Sequence, residues 1–115
     1  MEEKVKISIL NELYGSLLSE KQQAFIEDYF NNDLSLSEIA ENNNITRQAV
    51  RDIIKKGENK LLEYEKKLGF MNKQAVQEKR IEKVLKELTK IQTNYSDKQI
   101  EIVLESIKKE LNCLV

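Results

Sequence analysis

The stretch Leu34-Ser35-Leu36-Ser37-Glu38-Ile39-Ala40-Glu41-Asn42-Asn43-Asn44-Ile45-Thr46-Arg47-Gln48-Ala49-Val50-Arg51-Asp52-Ile53-Ile54-Lys55-Lys56 carries two helix starts about one short helix apart. Ser35 and Glu38 form a capping box, with Leu34 and Ile39 as an apolar staple across it, so a helix begins at Leu36. It ends in Asn42, Asn43 and Asn44, because asparagine tolerates the left-handed backbone of a sharp turn between helices. Thr46 caps a second helix, stapled by Ile45 and Val50, with Val50, Ile53 and Ile54 as its inward stripe. Ala40 and Ala49 are small enough for the two backbones to approach. This is the pattern of a helix-turn-helix, with the motif over residues 34–56.

The second helix of such a motif enters the DNA major groove by its outward side. Here that side offers Thr46, Arg47, Gln48, Arg51, Asp52 and Lys55, with Lys56 and Lys60 further along. Arginine pairs bidentately with guanine and glutamine with adenine, while lysines grip phosphates. Asp52 accepts from cytosine or orients Arg51 or Lys55.

Before the motif, Val5–Tyr14 reads as a helix with Ile9, Leu10, Leu13, Tyr14 and Leu17 on its core face and Gly15 to end it. Ser19 with Gln22 opens another, whose apolar side is Ala24, Phe25, Tyr29 and Phe30 and which breaks at Asn31 and Asn32. Helical spacing assigns Tyr29 and Phe30 to core packing rather than to base stacking. After the motif the recognition helix continues past Gly57, a bend or close packing point, and stops at Gly69. Asn72 caps a long helix with Val76, Ile81, Val84, Leu85, Leu88, Ile91 and Tyr95 on one face. Ser96, with Gln99 as its box partner and Tyr95 and Ile100 as staple, starts a last helix striped by Ile100, Val103, Leu104, Ile107, Leu111 and Leu114. The division expected is a helix-turn-helix domain over 1–70 and an amphipathic helical hairpin over 71–115. The hairpin either packs back on the first domain or makes a homodimer, with Lys86, Glu87, Lys90, Lys108 and Lys109 on its charged side.

The chain has 115 residues, no proline, three glycines and 34% charged residues. That composition suits an all-α protein of one domain, or one domain with a helical extension. No apolar run approaches a membrane span, and Met1–Lys6 lacks a signal peptide's apolar core, so a cytoplasmic setting is expected. The single cysteine, Cys113, rules out an internal disulfide. The charge is uneven. Residues 1–43 hold three lysines against nine acids, and residues 44–115 hold sixteen basic residues against eleven acids. The recognition helix thus opens the basic part of a chain whose net charge is only −1, which predicts modest, salt-sensitive phosphate binding.

The run Leu18-Ser19-Glu20-Lys21-Gln22-Gln23, then Ser37-Glu38-Ile39-Ala40, then Ile45-Thr46-Arg47-Gln48-Ala49-Val50, resembles the C-terminal promoter-reading domain of bacterial sigma factors. More closely, nearly the whole chain resembles the YlxM family of small bacterial proteins, most specifically over Ser37–Asp52. The resemblance implies a sigma-like helix-turn-helix bundle. It also implies a regulator of signal-recognition-particle-dependent targeting, since that family is often encoded beside the particle's GTPase. Asn44 departs from the family pattern, standing where a turn glycine is usual.

Catalysis finds little support in the residues. There is no histidine to serve as a general base, Cys113 has no imidazole to activate it, and no glycine-rich phosphate loop exists. The acidic pair Glu27 and Asp28 has no companion suggesting a metal site. A non-enzyme without cofactor or metal is therefore expected. Three readings remain: a DNA-binding regulator, a protein- or RNA-interaction module on the same scaffold with signal recognition particle components as partners, and a helical dimer without ligand. The last leaves the outward Arg47, Gln48 and Arg51 unexplained. Duplex DNA is the leading ligand.

Overall fold

The computed structural model describes residues 2–94 and 97–114. Among them there is no strand, and the helices are α1 Glu3–Tyr14, α2 Glu20–Ile26, α3 Leu36–Asn43, α4 Arg47–Leu68, α5 Phe70–Asn94 and α6 Lys98–Asn112. The protein is all-α. The chain divides into two compact units, Met1–Met71 and Asn72–Val115.

In the first unit the helix starts are where cap chemistry puts them. Ser19 accepts from Gln22 N–H while Gln22 Oε1 accepts from Ser19 N–H, and Ser35 and Glu38 make the same reciprocal pair. Thr46 Oγ1 accepts from Ala49 N–H at 3.0 Å and opens α4. Asn44 takes the left-handed conformation at φ 55°, ψ 43°, so the amide residue replaces glycine at tolerable cost. Gly69, at φ 66°, ends α4 in the same region, and its N–H returns to Glu65 O.

The core gathers Ile7, Leu10 and Tyr14 of α1, Phe25 and Ile26 of α2, Ile39 of α3, and Val50, Ile54 and Leu61 of α4. Some core assignments shift from the expected ones. On α1, Ile7 is buried while Leu17 is 55% exposed, because the backbone leaves the α-helix at Gly15 for a 3₁₀ turn over Gly15–Leu17. Gly15 itself keeps a right-handed φ of −57° and is no left-handed cap. On α2, Ala24 faces solvent and Ile26 is fully buried. A π-helical turn over Glu27–Asn31 then shifts the phase, leaving Phe30 half-buried and Tyr29 at the surface. Gly57 is a contact point rather than a break, since α4 runs through it. A Cβ there would meet Ile26 Cδ1 at 2.6 Å, so the lack of a side chain lets α2 and α4 close up.

The end of the first unit is tied by a small network. Tyr14, 1% exposed, donates its hydroxyl to Glu65 Oε1 at 2.7 Å and accepts from Phe70 N–H at 3.1 Å. Glu65 Oε1 also accepts from Met71 N–H at 3.0 Å. These side chains satisfy the first amides of α5, which begins at Phe70, so Asn72 lies inside the helix and is not its cap. Tyr14 also lies against Tyr64 and Phe70, with ring centroids 6.0 and 6.2 Å away.

In the second unit, the α6 cap is Asp97, which accepts from Gln99 N–H at 2.8 Å. The expected Ser96 box and Tyr95 staple fall outside the described residues. Gln92 of α5 bonds Glu105 and Lys108 of α6, at 3.0 and 2.7 Å, which marks the two helices as a hairpin. Among the described residues of the two expected stripes, only Ile81 and Leu104 are buried.

Candidate nucleic-acid interface

Helix α4 turns about 100° per residue. With Val50, Ile54, Gly57 and Leu61 facing the core, the remaining positions are fixed by phase. Arg47 and Arg51 fall on one flank, Gln48, Asp52 and Lys55 span the outward side, and Lys56 and Lys60 fall on the opposite flank. All of these, and Thr46 before them, are exposed. The eight residues named from sequence therefore do not form one cluster, because their phases span more than half the helix circumference.

Two shallow clefts show which of them come together. The first, of about 460 Å³, is lined by Leu36, Thr46, Arg47, Gln48 and Arg51. The second, of about 370 Å³, is lined by Tyr29, Leu36, Arg51, Ile54, Lys55 and Glu58. Leu36 and Arg51 belong to both, so a continuous depression follows the first turns of α4 on the side facing the start of α3. The amino end of α4 adds the positive pole of a helix dipole to Arg47 and Arg51, which favours an anion there. Lys56 and Lys60 border neither cleft.

Asp52 has a partner within its own helix. It accepts from Gln48 Nε2 at 2.9 Å, one turn back, and forms no ion pair with Arg51 or Lys55 among the described residues. That bond holds the Gln48 amide along the outward side with its own carbonyl free to accept.

Four residues that sequence reasoning did not assign to the site line these clefts: Leu36, Tyr29, Glu58 and the core residue Ile54. Leu36 was legible only as a helix start. Tyr29 was assigned to the core, yet it is 37% exposed and stands edge-on to Phe30 at 5.1 Å. Glu58 could have been found from its spacing, seven residues after Arg51 and three after Lys55, which puts it on their flank. Burial pushes its carboxyl above the usual glutamate value, with Glu3 adding to the rise and Lys55 opposing it.

A family model described as "Putative helix-turn-helix protein, YlxM / p13 like" matches residues 1–107. The chain belongs to the UPF0122 family. Several UPF0122 relatives match nearly end to end. A UPF0122 protein of Fusobacterium nucleatum is 43% identical over 107 residues, covering 93% of this chain and 97% of the relative. One of Desulforamulus reducens is 44% identical over 111 residues, with 96% and 95% covered. One of Clostridium kluyveri is 47% identical over 109 residues, with 94% of each covered. The family description and the observed α3-turn-α4 geometry agree on a helix-turn-helix, a scaffold consistent with DNA binding in general. Among the described residues of this UPF0122 chain, no helix is long and apolar enough to cross a membrane.

Proposed function

We propose that this UPF0122 protein is a cytoplasmic regulator that binds duplex DNA through the first three turns of α4. The observation carrying the reading is the Thr46-capped start of α4, which presents Arg47, Gln48 and Arg51 together around one cleft on an exposed helix end. In this reading Arg47, Gln48 and Arg51 meet base edges, and Lys55 meets phosphate from the neighbouring cleft. Lys56 and Lys60, on the other flank, reach only backbone phosphates. The link to signal-recognition-particle-dependent targeting, which the likeness to YlxM proteins implies, belongs to the same proposal.

A second reading has its own observation. Glu58 lines the cleft with Arg51, Glu41 lines a further depression with Arg47, and the whole chain carries a net charge of −1. Mixed charge of this kind suits a protein partner better than a long run of phosphates, and a scaffold alone does not fix function; the RNA alternative rests on the likeness to YlxM proteins.

The test is a salt titration of the purified full chain on random duplex DNA beside signal recognition particle RNA. A steep salt slope on duplex, lost in the Arg47→Ala, Arg51→Ala double variant, supports the DNA reading. Arg51→Ala should then reduce discrimination between sites, by about 1–3 kcal/mol for a bidentate pair, whereas Lys56→Ala weakens all duplexes alike. Duplex ignored at low salt while the RNA is held overturns it in favour of the second reading.

A further inference from the structure

The hairpin of α5 and α6 has two unlike edges. Successive residues of a helix are about 100° apart, and antiparallel helices bring equal rotational offsets to the same edge of a hairpin. Measured from the buried Leu104, Glu105 and Lys108 lie to one side, where they meet Gln92 of α5 through hydrogen bonds. Ile100, Val103 and Ile107 lie to the other side. Measured from the buried Ile81, Val84 and Ile91 of α5 fall to that same other side. One edge is thus closed by polar side chains, and the other is a continuous apolar strip.

The strip is open. Val84 is 46% exposed, Ile91 42%, Ile100 38%, Val103 58% and Ile107 41%. Together they leave roughly several hundred Å² of apolar surface, the size at which a patch on a small protein marks an interaction site. We propose that this edge is the interface for a second copy of the same chain, two hairpins forming a four-helix bundle.

Three features select a second copy over a foreign partner. The strip repeats every seven residues on both helices, Val84 to Ile91 and Ile100 to Ile107, which is the spacing that interdigitates with another helix at a shallow crossing angle. A standard dimer buries about 800 Å² per partner, roughly two-thirds of it apolar in homodimers, and the strip supplies the larger part of that apolar share. The flanking positions carry both signs, Arg80 and Glu87 along α5 and Glu110 along α6, so the surface complements itself rather than calling for a strongly acidic or basic partner. The inference is independent of the nucleic-acid reading, although a dimer would supply the paired recognition helices that short palindromic sites require.

The experiment is the mass of the full chain in solution, measured by sedimentation equilibrium across a wide concentration range. Wild-type protein is dimeric, and Val103→Glu weakens the dimer by at least about 100-fold, because a carboxylate enters the strip twice, once from each copy. Ile102→Glu is the control: Ile102 is 70% exposed on the opposite face of α6, and the dimer survives there. Circular dichroism of both variants checks that the helices remain. Wild-type protein monomeric throughout the range overturns the proposal without reference to any variant. So does equal dissociation by both substitutions, or full dimerisation by a folded Val103→Glu.

Discussion

Of the thirteen apolar residues buried among those described, eleven lie in the unit Met1–Met71, while Ile81 and Leu104 alone lie in Asn72–Val115, which holds over a third of the chain. Both units are built from amphipathic helices and both contain capped starts, at Ser19, Ser35 and Thr46 in the first and at Asp97 in the second, so the difference is not one of local chemistry. It comes from how many elements converge. In the first unit α1, α2, α3 and α4 surround a shared interior, and a residue such as Ile39 is covered from several sides. In the hairpin two helices cover each other along one line only, and the flanks of their apolar stripes stay in water. The same periodicity therefore yields a closed core in one place and an open edge in the other.

The sharpest way to break this comparison is to remove equal amounts of apolar surface from each unit. Ile39→Ala, at a fully buried position, should destabilise the protein by about 2–5 kcal/mol, the transfer loss plus a cavity that neighbouring helices cannot fill. Ile102→Ala, at a 70% exposed position on the hairpin's outer face, should stay within about 0.5 kcal/mol. Urea denaturation midpoints at fixed protein concentration measure both. Comparable losses would mean that the hairpin is more tightly integrated than its burial indicates.

A smaller effect is expected where the first unit ends. Tyr14→Phe removes one hydroxyl but two hydrogen bonds, to Glu65 and from Phe70 N–H, in a site where the ring itself is almost fully enclosed. The cost should be about 1–3 kcal/mol. It also has a pH signature. Burial first, then the hydrogen bond to Glu65, holds the Tyr14 phenol above its ordinary value of 10.0. The unfolded chain releases this proton first as pH rises, so the stability contributed by Tyr14 is complete below pH 10 and is lost as pH climbs through the folded value. The phenylalanine variant should show a flatter alkaline limb in thermal melts. An unchanged limb would assign the alkaline loss to other groups.

How much of this was legible in the sequence follows the same division. Caps are local chemistry, and Ser19, Ser35, Thr46, Asn44 and Gly69 all act where a few neighbouring residues say they should. Core membership is less local. Ile26 went unnoticed because the π-helical turn after it changes the phase that a regular helix would keep. The start of α5 was misplaced because its cap comes from Tyr14 and Glu65, and a bond from a residue 56 positions away leaves no trace in sequence spacing. In the candidate site, Arg47, Gln48 and Arg51 could be read from the motif. Tyr29 could not, because its place beside Arg51 depends on how the segment before α3 folds back.

The smallest predicted effect concerns Glu58, the acid set among the cations of the candidate interface. Its carboxyl is half-buried beside Arg51 and Lys55, and burial raises its affinity for a proton above the unfolded chain's. The fold therefore favours the protonated form, and the benefit is complete below the ordinary value of 4.5 and disappears as pH rises through the folded one. At neutral pH the ionised carboxylate weighs slightly against folding. Glu58→Gln should give a small rise in melting temperature at pH 7 that vanishes near pH 4. The same substitution removes a negative charge from the cleft next to Arg51 and Lys55, so duplex affinity should rise about two- to fivefold at low salt and converge with wild type at high salt. The two readouts separate two roles for the residue. A stability gain with higher affinity identifies Glu58 as a brake on phosphate binding. A stability gain with lower affinity would mean that its carboxylate positions Arg51 or Lys55, and that the cleft works as one unit rather than as a set of independent charges.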